Sequence, residues 1–154
     1  MARSSPSSTT ASCIARAVSP RLRFDDVQEG DDLPQQEFVL SKTQVREYAR
    51  AGGLWTLRFT DDEGARQEGL PGMITPGNMS LGLLATFLES WAGVGSLRRL
   101  GTTFRGLVLP DRTVRLRGTV TQKEGARRTV EVDVWLESDE GERGVIGTAT
   151  VALS

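Results

Sequence analysis

The chain has 154 residues, 38% of them hydrophobic and 25% charged, with a formal net charge of −1, which suits one domain around one core. That near balance gives no electrostatic case for nucleic acid or an anionic membrane, and no apolar run approaches the ~20 residues of a membrane span. The lone cysteine, Cys13, excludes a disulfide framework, and the absence of histidine excludes Ser/His and Cys/His triads and histidine-ligated metals, so no metal and no cofactor are expected.

Residues 1–23 stand apart. They are rich in Ser and Thr and carry Arg3, Arg16, Arg21 and Arg23 without an acidic residue. Lacking the continuous apolar core of a secretory signal, they read as a disordered extension, with an organellar transit peptide as the alternative and a cytoplasmic location as the expectation. The folded domain is expected over 24–154.

RFDDVQEGDDLP reads as a lead-in loop turning at Glu29-Gly30-Asp31, and QQEFVL as a strand. Ser41 followed by Gln44 has the spacing of an N-terminal capping box, which starts a helix running through VREYARA to a stop at Gly52-Gly53. Thr60 with Glu63 repeats that spacing and predicts a short helix through Arg66. GLPGMITPG breaks both regular periods and is irregular. In NMSLGLLATFLESWAG, Met79, Leu81, Leu83, Leu84, Ala85, Phe87, Leu88 and Trp91 cover most of a helical circumference, so a helix buried nearly all round is expected, ending at Gly93.

The last sixty residues change period. Val114, Leu116, Gly118 and Val120 alternate with Arg115, Arg117 and Thr119; Val130, Val132, Val134 and Leu136 alternate with Glu131, Asp133 and Trp135. Val145, Gly147, Ala149, Val151 and Leu153 continue the rule, Glu124-Gly125 and Asp139-Glu140-Gly141 supply turns, and SLRRLGTTFRGLV is a further strand. The pattern predicts an α+β fold: an antiparallel sheet with one face on a core, curled about a single apolar helix.

In order and spacing, RFDDVQEGDDLP, SKTQVREYARAGG, GLPGMITPGNMSLGLLA, and LESWAG followed by SLRRLGTTFRGLVLPDRTVRLRGTV resemble the MaoC-like dehydratase family, which includes the (R)-specific enoyl-CoA hydratases. The resemblance covers about residues 22–154. It implies one hot-dog domain, a curved antiparallel sheet wrapped around a long central helix, paired as a dimer and binding an acyl thioester of coenzyme A or of acyl carrier protein. After its first helix the family carries Ser-Gly-Asp-x-Asn-Pro-x-His, whose Asp and His are the catalytic pair. GGLWTLRF lies in that place, with Leu54 on the Asp, Thr56 on the Asn, Leu57 on the Pro and Phe59 on the His. The resemblance therefore implies a member without catalytic residues of the usual kind. Ahead of the central helix the family has His-Gly, and the Gly N–H polarises the thioester carbonyl; here the pair is Pro76-Gly77.

The substrate-binding residues so implied are Leu54, Trp55, Thr56, Phe59, Pro76, Gly77 and Asn78. Leu54 and Phe59 either line an apolar tunnel or fill the former site and close it. Trp55 stacks on a ligand or anchors a core or interface. Asp61, Asp62 and Glu63 are replacement acids or charges favoured at a helix start, and Asn78 and Ser80 are polar site groups or caps. Glu47 and Tyr48 lie on the first helix, where packing is the better reading of Tyr48. Arg98, Arg99 and Arg105 meet the carrier's phosphates or form the solvated side of an edge strand.

Three functions fit. One is the non-catalytic, substrate-binding subunit of a heteromeric enoyl-CoA hydratase or 3-hydroxyacyl dehydratase, beside a second hot-dog subunit that carries the Asp/His pair. Another is a homodimeric enzyme repurposed for thioester hydrolysis or cyclisation, with Asp61, Asp62 or Glu68 as the acid. The third is a scaffolding module with a closed pocket.

Overall fold

In the computed structural model, which describes residues 21–154, the capping box at Ser41 forms as its spacing demands. The Gln44 N–H donates to Ser41 Oγ and the Ser41 N–H donates to Gln44 Oε1, opening helix α1 over Lys42–Ala51. Gly52 closes that helix, and Gly53 turns the chain away at φ +71°. Cys13 and residues 1–20 of the expected extension lie outside the described residues. Leu22, ahead of the expected domain boundary at Phe24, rests against the core.

The second helix, α2 over Asp62–Gln67, starts one residue later than the Thr60–Glu63 spacing predicts. Asp61 is the cap: its backbone is extended and its carboxylate accepts from the Gly64 N–H at 2.7 Å, where a negative group also meets the helix dipole. Thr60 instead donates its hydroxyl to the Thr56 carbonyl.

The five strands are β1 (Gln36–Val39), β2 (Leu97–Phe104), β3 (Thr113–Glu124), β4 (Thr129–Ser138) and β5 (Arg143–Ala152). They form one antiparallel sheet in the order β1-β3-β4-β5-β2. Irregularities at Leu97/Arg99, Val120/Gln122 and Leu136/Glu137 interrupt the ladders and add to the curl of the sheet. The alternation read in the sequence becomes its two faces: Val114, Leu116, Val120, Val132, Val134, Leu136, Val145, Ala149 and Val151 point into the core.

Helix α3, Gly77–Ala92, lies against that inner face and contributes Leu84, Phe87, Leu88 and Ala92 to the core. Its expected burial all round is corrected. Asn78, Gly82, Thr86 and Ser90, spaced four apart, form an exposed stripe, while Leu81, Leu83, Ala85 and Trp91 are half-buried. A smaller cluster of Leu40, Val45 and Met73, with Met79 and Leu83 against it, fastens α1 and the irregular loop to the first half of α3. Among the described residues no helix is long and apolar enough to cross a membrane.

Candidate functional site

Pro76 sits just outside α3 with φ −57°, close to the value its ring enforces, and the helix begins at Gly77. The Pro76 carbonyl accepts from the N–H groups of Met79 and Ser80, and no side chain caps the helix start. Asn78 is thus not a cap; it is the second helical residue and is exposed. The N–H groups of Gly77 and Asn78 lie ahead of the intrahelical ladder, at the positive end of the helix dipole, and suit a carbonyl or an oxyanion.

The space over Gly77 is defined by an aromatic ring that the sequence reading did not pick out. A Cβ at residue 77 would stand 3.0 Å from Cε1 and Cζ of Phe104, the last residue of β2. Glycine therefore lets the Phe104 ring close on the helix start, and Phe104 remains 52% exposed on its outer side. Leu107, three residues on, is also exposed. The Thr75 N–H donates to the Val108 carbonyl at 2.8 Å, pinning the β2–β3 connection beside the segment that leads into α3.

The stretch aligned with the family's Asp/His run is tied by one backbone bond to the segment that leads into α3. It leaves α1 through a bond from the Leu54 N–H to the Ala49 carbonyl and passes through a single 3-10 turn, Leu57–Phe59. There the Arg58 carbonyl accepts from the Ile74 N–H at 2.9 Å, two residues before Pro76. Leu54 and Phe59 are half-buried, Thr56 is exposed and Trp55 is 71% exposed, which removes the core reading of Trp55. Tyr48, expected to pack, lies on the exposed side of α1, as does Glu47.

The candidate acids are all engaged. Asp61 caps α2. Asp62 holds Lys42 at 2.8 Å and accepts from the Met73 N–H at 2.9 Å; the Lys42 ammonium, then the amide, hold its carboxyl below the ordinary aspartate value. Glu63 lies 3.6 Å from Arg66, and Glu68 pairs with Arg58 at 2.9 Å. Each therefore serves the local fold, and Asp62 is a weaker base than a free aspartate. Among the described residues no three His, Cys, Asp or Glu side chains gather as metal ligands.

Two hydroxyls near the helix start are buried with no hydrogen-bond partner in the protein, Thr75 Oγ1 and Ser80 Oγ. They occupy the residue before the cap and the fourth helical residue, positions that in many helices carry a pair of apolar side chains. Ser80, expected as a cap or a site group, is thus buried a full turn inside α3. The three arginines taken together in the sequence separate. Arg98 and Arg99 lie near the start of β2, where Arg98 donates to the Gly95 carbonyl, and Arg105 lies just past its other end.

The chain matches the family described as MaoC like domain over residues 14–142. None of the curated proteins matches it. A solved structure described as a MaoC-like dehydratase is 28% identical with a TM-score of 0.81, over 86% of this chain and 42% of its own, so this chain spans less than half the length of that relative. The ChsH1–ChsH2 complex from Mycobacterium tuberculosis is 19% identical with a TM-score of 0.75, over 83% of this chain and 99% of the matched one. The (R)-hydratase from A. caviae involved in PHA biosynthesis is 17% identical with a TM-score of 0.77, over 83% and 98%. The fold is the hot-dog, as the sequence implied.

Proposed function

The chain belongs to the MaoC-like domain family, and from that premise we propose that it is the acyl-thioester-binding, non-catalytic subunit of a heteromeric enoyl-CoA hydratase or 3-hydroxyacyl dehydratase. One observation carries the reading. The helix start at Gly77 keeps its uncapped N–H groups, and the loop of residues 54–59 is bonded through Arg58 to Ile74 in the segment leading into that helix, yet the positions aligned with the family's acid and base hold Leu54 and Phe59 in a chain without histidine. Such a site can orient a thioester and polarise its carbonyl, but it has no imidazole to move a proton.

Leu54, Trp55, Thr56, Phe59, Pro76, Gly77 and Asn78 form the acyl end of the site in this reading. Its partner is a second hot-dog subunit that carries the Asp/His pair, in a dimer like the two-chain ChsH1–ChsH2 relative. The competing role, turnover by Asp61, Asp62 or Glu68, loses support because each of these carboxylates already holds a structural partner.

The test is water addition to a crotonyl-type thioester by the purified chain alone and with a hot-dog partner bearing the pair. Activity only in the mixture, with saturable binding of acyl thioester by the isolated chain, is expected. Equal activity from the isolated chain refutes the non-catalytic role, and no saturable binding leaves the closed scaffold as the answer.

A further inference from the structure

The approach to α3 is fixed by successive backbone donors. The N–H groups of Met73, Ile74 and Thr75 donate to Asp62 Oδ1, the Arg58 carbonyl and the Val108 carbonyl, at 2.9, 2.9 and 2.8 Å. Each bond ties the segment to a different element: α2, the Leu57–Phe59 turn and the β2–β3 connection. The last two acceptors are backbone carbonyls, which any sequence supplies. Asp62 acts through its side chain, so its bond depends on residue identity. Its neighbour Asp61 gives its carboxylate to the Gly64 N–H inside α2, which leaves Asp62, the first residue of that helix, to reach out of it. Gly72 makes the reach possible, since a Cβ there would stand 3.0 Å from Asp62 Oδ1. The other carboxylate oxygen holds Lys42, at the start of α1, 2.8 Å away. Lys42 in turn donates its backbone N–H to Asp111 Oδ1 at 3.2 Å, and the Asp111 N–H donates to the Leu40 carbonyl at 2.7 Å. One carboxylate thereby links α1, α2 and the loop ahead of α3.

The aim of the helix start depends on that loop. The Pro76 ring holds φ at −57°, so the direction of the Gly77 N–H follows from the path of residues 73–75. We propose that Asp62 is a positioning residue of the thioester site: by fixing Met73 it aims the N–H groups of Gly77 and Asn78 at the carbonyl oxygen of the ligand. The proposal rests on the thioester reading above and adds to it the group that directs the helix start. Asp62 itself neither touches the ligand nor moves a proton. A hydrogen bond weakens steeply as its donor turns away, so a small shift of the loop loses the bond to the carbonyl while the acyl chain keeps its apolar contacts. The pair with Lys42 is partly exposed and contributes little alone, so the bond to Met73 carries the role.

Calorimetry with two ligands separates aim from stability: crotonyl-coenzyme A, and the but-2-enyl thioether of coenzyme A, which lacks only the carbonyl oxygen. The unaltered chain is expected to bind the thioester about fivefold more tightly, the worth of one hydrogen bond. Asp62→Ala should bind both ligands at the affinity of the thioether. Asp62→Glu keeps the charge but carries its oxygens one methylene past the Met73 N–H. It should lose the preference too, which gives the answer should Asp62→Ala fail to fold. Asp62→Asn keeps an oxygen for Met73 while giving up the Lys42 pair, and it should retain the preference despite lower stability. A preference that survives in Asp62→Ala and Asp62→Glu, or one that Asp62→Asn loses as fully as they do, overturns the positioning role. A loss that extends equally to the thioether makes Asp62 merely structural and also overturns it. Equal binding of the two ligands by the unaltered chain overturns the role while leaving the acyl reading standing. Absence of binding to both overturns the function proposed above together with this role.

Discussion

Placing one methyl group at the helix start separates binding from stability. In Gly77→Ala the new carbon meets the Phe104 ring at 3.0 Å, short of the ~3.5–4.0 Å of a relaxed carbon contact, so the ring must retreat by roughly half an ångström or more. Phe104 ends an edge strand and is 52% exposed, so it has room to swing outward. The cost of that movement is offset by the gain of about 0.5–1 kcal/mol when alanine replaces glycine in a helix. The melting temperature is expected to stay within about 4 °C of the unaltered protein. Binding should respond differently, because the methyl and the displaced ring crowd the space over the Gly77 N–H. Losing one hydrogen bond there removes about 0.5–1.5 kcal/mol, or roughly two- to twelvefold in affinity for an acyl thioester. Calorimetric titration alongside a thermal melt reads both quantities. Unchanged affinity would refute the placement of the thioester at Gly77, and a large fall in melting temperature would show that Phe104 is a fixed strut instead of a movable cover.

Two further substitutions probe the frame around the site. In Gly147→Ala the Cβ falls inside contact distance of the Gly101 carbonyl oxygen across the β2–β5 pair, backbone against side chain with nothing flexible to yield; a loss of about 1–3 kcal/mol is expected in chemical denaturation, and an unchanged midpoint would mean the edge strand shifts freely. Asp62 has a lower carboxyl pKa folded than unfolded, so its contribution to stability is complete above the ordinary aspartate value and disappears as pH falls below it toward the lowered one. Asp62→Asn should lower stability at neutral pH and flatten that acid limb of the stability profile, and a limb identical to that of the unaltered protein would place the acid sensitivity elsewhere.

Much of the architecture was legible because it is local. Ser41 and Gln44 announce α1 by spacing, and the alternation from Val114 to Leu153 gives the faces of β3, β4 and β5 directly. The start of α2 differs by one residue from its predicted place because Thr60 and Asp61 compete for the cap, and the charged side chain wins it. Burial on α3 is narrower than its count of apolar positions predicts, because Asn78, Gly82, Thr86 and Ser90 recur every four residues on one line. The features that shape the site are distant in sequence. Phe104 reaches Gly77 only because β2 runs along α3.

The Phe24 N–H donates to the Ser154 carbonyl at 3.0 Å, and the Ser154 hydroxyl to the Leu22 carbonyl at 3.3 Å. Residues 22 and 154 therefore stand side by side, and the path between them is nearly a closed ring. A short peptide bridge would join them at little entropic cost, and the exposed turn at Gly125–Arg127 offers a place to reopen the ring. The order of the strands in space thus does not depend on where the ribosome begins: a circularly permuted chain would trace the same sheet.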